Sequence, residues 1–225
     1  MLARATAPFH GIGGLERHVL DLVRHVARRG IQVTLVTKPP RPGVPASLDC
    51  GAATRFVPYL TFPFAGRRGT TVLDRSSAYP LFGWRAGRVA AQMARSGEIH
   101  IVHGLGASAW GYAEARRRDW LGTVPFVFNP QGLEEFGATD PSRARLKRLG
   151  YRPLQAVVRR TAAAADRVIA TDRALVPTVL EHLDVQASRV RVVTSTVPTT
   201  DPTGAPRDRG EHHPRCCLAS GPFAG

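Results

Sequence analysis

Three glycines fall within four positions near the N-terminus, Gly11, Gly13 and Gly14, in the stretch PFHGIGGLERHV (8–19). An amphipathic helix pattern follows at once. The first N–H groups of a helix lack intrahelical partners and the helix dipole favours negative charge there, so bare glycine amides at such a start suit a phosphate or diphosphate. A tight turn between strand and helix is the other use of the same glycines. Two nucleotide motifs can be set against the stretch. The dinucleotide fingerprint needs a third glycine where Glu16 stands, and an acid at the end of the next strand, where the chain has Thr37 and Lys38. Lys38 would suit a 2′-phosphate, but the combination is poor for a nicotinamide or flavin. A P-loop is excluded, because no G-K-[ST] follows the glycines.

Further residues with usable chemistry stand downstream. His103 closes the apolar run EIHIVHG (98–104), and ligands of open α/β sheets meet outside the carboxyl ends of strands. Gln131 sits in a P-Q-G turn after TVPFVFN (123–129). Its amide can donate and accept hydrogen bonds but cannot carry a proton. Glu134 and Glu135 follow; each could orient a substrate hydroxyl or act as a helix-start acid. Glu16 reads as a first-turn helix acid, and His18, His25 and His182 as helix-surface residues. His212, His213, Cys216 and Cys217 stand as adjacent pairs, too cramped for the usual ligand spacing of a tetrahedral zinc site. No metal is expected.

These residues must be positioned by regular elements, and the chain supplies them in alternation. Leu15, Val19, Leu22, Val23 and Val26 recur at helical spacing, and Gly30 stops that helix. IQVTLVT (31–37) reads as a buried strand, a loop follows, and TRFVPY (54–59) is a weaker strand. Residues 60–79 read as irregular and 81–96 as a helix weakened by Gly83 and Gly87. Then come strand 98–104, helix 106–118, strand 123–129, a long basic helix over 142–165 interrupted near Pro153, strand 166–171, helix 173–183 and strand 189–194. Such alternation implies right-handed crossovers and a doubly wound parallel sheet of six or seven strands, an α/β Rossmann-like domain over residues 1–197. The first strand, Leu2 to Thr6, should be central, yet Arg4 interrupts it, so a truncated start is expected. Residues 198–225 lack periodicity, are dense in Pro and Gly, and read as a disordered tail.

Composition narrows the partners. The chain has 225 residues and a formal net charge of +14, which favours acidic partners. No recognition motif or stacking array accompanies the charge, so nucleic acid is not expected. The segment 143–160 carries seven basic residues and no acid, with Leu146, Leu149, Leu154, Val157 and Val158 as an apolar side. It fits either peripheral contact with an anionic membrane or an ordinary packed helix with a solvated basic face. The sequence holds no apolar run of membrane-spanning length, residues 1–14 lack an apolar core of signal-peptide length, and three cysteines give no disulfide framework, so the expected location is cytoplasmic, with peripheral contact at the inner membrane face if 143–160 meets the membrane.

Four segments in order resemble the N-terminal, acceptor-side domain of glycosyltransferase family 4, of the GT-B fold. GIGGLERHVLDLVRHVARRGIQVTLVT resembles the family's G-G-x-E-x-x-V opening, and IHIVHGLG its strand ending in V-H-G. VPFVFNPQGLEEFGATDP resembles the P-H-G or P-Q-G turn leading into L-E-E-F, and AAAADRVIATDRALVPTVLEHLDVQASRVRVVTSTV the A-D-R-V-I-A segment with its following strand. The resemblance implies transfer of a sugar from a nucleotide-sugar donor to a glycan or lipid-linked acceptor hydroxyl, with retention, as in a hexosyltransferase of glycan biosynthesis. It implies no obligatory metal and no cofactor, the donor being a substrate. It places Gly13 and Gly14 at the donor phosphates, His103, Gln131 and Glu135 in catalysis, and His10 and Glu134 at the acceptor. Much of the family has histidine where Gln131 stands, so a charged imidazole is not available at that position. The family's donor-domain hallmarks, V-G-R-L and E-x(7)-E, do not occur, so the chain is expected to be truncated before that domain and its lone activity doubtful. A split-enzyme or non-catalytic acceptor-binding subunit and an unrelated Rossmann-like nucleotide enzyme are the alternatives.

Overall fold

A computed structural model of the chain describes residues 1–11, 13–62, 68–118, 124–131, 133–136 and 149–194. Apolar runs became strands and amphipathic runs became helices, in the alternating order β1 (Thr34–Thr37), β2 (Ala53–Phe56), β3 (Val102–Leu105), β4 (Phe126–Asn129), β5 (Arg167–Ala170) and β6 (Val190–Val192). The helices are α1 (Gly14–Arg28), α2 (Arg68–Leu73), α3 (Tyr79–Arg95), α4 (Trp110–Arg118), α5 (Arg152–Ala164) and α6 (Leu175–Leu183).

All pairings are parallel. β1 pairs with β2, and β3, β4, β5 and β6 follow in spatial order. The N-terminal residues join the two groups. Leu2 bridges both Val36 and Gly104, its N–H donates to the His103 carbonyl, and its own carbonyl accepts from Leu105. The extreme N-terminal segment is therefore the central strand position, and the sheet order reverses beside it. In open α/β sheets this reversal opens a crevice at the carboxyl ends.

Helices cover both faces. Leu2, Val36 and Val102 pack into one apolar cluster with α3, α4, α5 and α6, while Ala3, Leu35 and Leu105 pack into a second with Phe9, Val19 and Val23 of the α1 side. Alternate residues of one strand thus serve opposite cores, as a two-sided sheet requires. Tyr112, Phe126 and Phe128 are fully buried. Each such side chain contributes about 1.5–3 kcal/mol of transfer free energy.

Three expectations change. Residues 60–79 are not wholly irregular: they contain α2, a π-helical turn over Asp74–Ala78 and the start of α3. This turn is tied down from a distance, by Ser76 donating to the Gly150 carbonyl at 2.7 Å and by Asp74 contacting Arg4 and Tyr59. Local propensity cannot see such ties. Gly83 and Gly87 do not weaken α3 so much as permit its packing. A Cβ at Gly83 would lie 1.9 Å from the Ala107 carbonyl oxygen, and one at Gly87 2.1 Å from the Tyr112 amide. Third, the apolar side of the basic segment faces inward: Leu154, Val157 and Val158 are buried in the core, so in the described part of 143–160 the side left exposed is the basic one, with Arg152, Arg159 and Arg160. Leu149 is exposed, and residues 143–148 lie outside the described residues. So does the expected tail over 198–225. Among the described residues no helix is long and apolar enough to cross a membrane.

Candidate functional site

The glycine loop leads directly into α1. Gly13 is the N-cap, in extended conformation, and the Arg17 N–H closes the first helical bond to the Gly13 carbonyl at 3.0 Å. The amides of Gly14, Leu15 and Glu16 therefore precede the helical ladder. Gly11 has φ +126°, a conformation that side chains disfavour. Gly14 differs: its φ is not left-handed, and an added Cβ would meet nothing within 4 Å. The fold has no steric need of glycine there. The Glu16 carboxylate lies over Gly13, 2.3 Å from where a Cβ would stand.

His10 braces this loop. Its Nδ1 accepts the Thr6 N–H at 3.1 Å, and its Nε2 faces the Lys38 and Pro39 carbonyls at 3.1 and 2.9 Å. These partners assign the neutral Nε2–H tautomer. Burial lowers its pKa, and the residue is only 6% exposed. Arg41 donates to the His10 carbonyl. Both ring nitrogens are thus turned to backbone.

At the carboxyl ends of the strands lies a cleft of about 200 Å³, lined among others by Arg4, Leu15, Tyr79, Gly106, Gln131 and Glu135. Leu15 brings the start of α1 to this cleft, and Gln131 and Glu135 bring the segment after β4. Gln131 has φ 65° and its N–H donates to Asn129 Oδ1 at 2.9 Å. Backbone in this region costs on the order of 1–3 kcal/mol for a side-chain-bearing residue and concentrates at functional sites. The Gln131 Nε2 is buried without a hydrogen-bond partner. Glu135 is 8% exposed and its carbonyl accepts from Gln155 Nε2 at 2.7 Å. Glu134 shares the short 3-10 turn Glu134–Phe136, and its side chain lies outside what is described.

His103 stands apart from the cleft. It belongs to the body of β3, level with the Met1–Leu2 segment, and is not among the residues lining this cleft. Burial pushes its pKa down to about 4, with Met1 and His18 nearby reinforcing the shift. Its Nε2 is buried without a partner. At neutral pH it is an uncharged imidazole under α1.

Sequence reasoning missed a polar network centred on Arg4. This guanidinium contacts Asp74 at 3.3 Å and lies over the Tyr79 ring at 4.7 Å. Tyr59 donates to the other Asp74 oxygen at 2.8 Å, and burial raises the Tyr59 phenol pKa. Lys38 Nζ sits over the Tyr59 ring at 5.3 Å. Arg4 also lines a second cleft, of about 280 Å³, with Lys38, Tyr59, Thr61, Thr70 and Asp74. The available signal was the one read as an interruption: a cation at the carboxyl end of the central strand, where ligands of such sheets bind. Among the described residues no three His, Cys, Asp or Glu side chains are grouped to hold a metal.

The family model for Glycosyltransferase Family 4 matches residues 12–201. The chain belongs to glycosyltransferase family 4. Family 4 membership sets aside the unrelated nucleotide enzyme. Among solved structures the chain is similar to sucrose-phosphate synthase from Thermosynechococcus elongatus, with TM-score 0.54 and 16% identity. The match covers 86% of this chain and 44% of the synthase, so the family 4 domain spans less than half of that protein's length. At this identity the likeness is one of fold: a parallel, Rossmann-like α/β domain such as GT-B enzymes contain. The comparison with curated proteins found no match.

Proposed function

We propose that this family 4 domain forms the acceptor-side wall of a retaining glycosyltransferase that uses a nucleotide-sugar donor. The donor diphosphate approaches the amides of Gly13 and Gly14. The observation that carries this reading is Gly14, which is glycine although its backbone and surroundings would accept a side chain. A phosphate approaching the helix start supplies the missing reason, because a side chain would stand between it and the amides.

The chemistry follows from the transition state. The bond between the anomeric carbon and the diphosphate oxygen breaks, and its electron pair leaves with the diphosphate. The acceptor oxygen bonds to the anomeric carbon on the same face, and its proton passes to the departing phosphate oxygen. The domain's part is to neutralise the phosphates and orient the acceptor. Helix-start amides and the Arg4 guanidinium serve the first need. Gln131, which lines the cleft and whose side-chain amide nitrogen has no hydrogen-bond partner, holds the transferred sugar, and Glu135 on the same wall orients the acceptor hydroxyl. His10 supports the glycine loop from behind. A glycan or lipid-linked acceptor would enter over this face; membrane contact would rest on the basic side of α5, including Arg152 and Arg160.

Gly14→Val tests the reading. It should leave the thermal midpoint within a few degrees, because Gly14 is exposed and a Cβ there meets nothing within 4 Å, and should abolish binding of UDP and GDP measured by calorimetry. Unchanged nucleotide binding by a folded Gly14→Val chain would show that the glycines form only a turn.

A further inference from the structure

The second cleft has no role in the reading above. It lies beside the first, with Arg4 as a shared wall, and its other lining is distinctive. Tyr59 and Phe62 offer aromatic surface, Thr61 and Thr70 offer hydroxyls, and Lys38 offers a charge. Its volume of about 280 Å³ lies at the small end of ligand pockets, which run to roughly 300–1,000 Å³ for drug-sized molecules. One sugar ring is a suitable size.

The charge balance is the informative feature. Asp74, the acid of this cleft, is already held by Arg4 at 3.3 Å and by the Tyr59 hydroxyl at 2.8 Å. Lys38 is half-buried, rests its ammonium over the Tyr59 ring, and forms no salt bridge among the described residues. Burial, and after it the neighbouring Arg4, lower its pKa, while Asp74 and Glu16 pull the other way without offsetting them. A half-buried cation without a salt bridge gains from an anion delivered by a ligand. The chain thus places one salt-bridged cation, Arg4, and one cation without a salt bridge, Lys38, around an aromatic-walled space at the carboxyl edge of the sheet.

We propose that this cleft is the acceptor subsite and that it selects an acceptor sugar bearing an anionic group, a carboxylate or a phosphate, which pairs with Lys38. The proposal rests on the glycosyltransferase reading and adds the class of acceptor to it. The ring lies between the aromatic walls Tyr59 and Phe62, Thr61 and Thr70 donate to the anion's remaining oxygens, and Arg4 separates this charge from the donor phosphates in the neighbouring cleft. Lys38 is then a specificity-determining residue.

Ligand-observed NMR titration of the full chain with glucuronate, glucose 6-phosphate and glucose tests this. Either or both anionic sugars should bind more tightly than glucose, and the tighter of the two identifies carboxylate or phosphate. Lys38→Met, which keeps the apolar stem, should weaken the anionic sugar about tenfold or more, the scale of one charge-assisted hydrogen bond, and leave glucose unchanged. Lys38→Arg, which keeps the charge, should stay within a few-fold of the parent. Circular dichroism of each variant confirms folding. Equal binding of glucose and the anionic sugars, or unchanged anion binding by folded Lys38→Met, overturns the selectivity and leaves the acceptor-cleft reading standing. Binding of none of the three overturns both.

Discussion

Arg4 Nη1 and Asp74 Oδ2 lie 3.3 Å apart across seventy residues of sequence, joining the central strand position to the π-helical turn ahead of α3. Arg4 lines both clefts and Asp74 the second. Both side chains are about one-quarter exposed, so the pair is screened less than a surface pair but is not fully desolvated. Asp74→Ala also removes the Tyr59 acceptor. A destabilisation of about 1–2 kcal/mol is expected. For a domain of this size that lowers the thermal midpoint by about 2–4 °C per kcal/mol, readable by calorimetry. An unchanged midpoint would mean that the network contributes nothing to the fold.

Gly87→Ala gives a sharper stability test. Alanine should stabilise an isolated helix by about 1 kcal/mol over glycine. Here its Cβ would fall 2.1 Å from the Tyr112 amide and 2.6 Å from that of Gly111, both backbone atoms that cannot step aside. Overpacking of this kind costs about 1–3 kcal/mol or more, and α3 would be pushed off α4. The variant should melt below the parent. A higher midpoint would show that the two helices are not packed this closely.

The pH response of His103 has a definite sign. Its folded pKa is lowered to about 4, below the ordinary 6.5, chiefly by burial, with the Met1 amino group and His18 as the charged neighbours. The neutral form is the one the fold favours. Its contribution to stability is fully present above pH 6.5 and is lost progressively as pH falls toward 4, because the unfolded chain takes up the proton first. In an NMR titration the His103 ring should show no protonation step between pH 8 and 5. A midpoint near 6.5 would place the ring in solvent and restore it as a candidate acid.

The sheet was legible because its strands are short β-branched and aromatic runs, such as TLVT and FVFN, separated by amphipathic helices. The strands are shorter than the apolar runs by a few residues at their ends, because ladder pairing begins only where a neighbouring strand is present. The glycine loop was legible for the same local reason. Arg4, Tyr59, Asp74 and Tyr79 were not, because their association depends on chain segments up to 75 residues apart. Gly83 and Gly87 carried the opposite meaning from their helix propensity, since the deciding atoms belong to the 106–112 segment. His103 follows the rule for strand ends in sequence, but the strand continues to Leu105 and leaves its ring below the edge.

The central claim is that the start of α1 receives a diphosphate. The most direct measurement is a pyrophosphate titration of the isotope-labelled chain, followed by amide nitrogen–proton correlation spectra. Each amide bond to the ligand nets only about 0.5–1.5 kcal/mol against water, and lost ligand freedom offsets several kcal/mol, so saturation is expected in the millimolar range. The Gly13, Gly14 and Leu15 amides should shift first and together, and Glu16→Gln, which removes the carboxylate lying over Gly13, should tighten the binding several-fold. Shifts confined to arginine-rich surface away from α1, with these three amides unmoved at saturation, would contradict that claim.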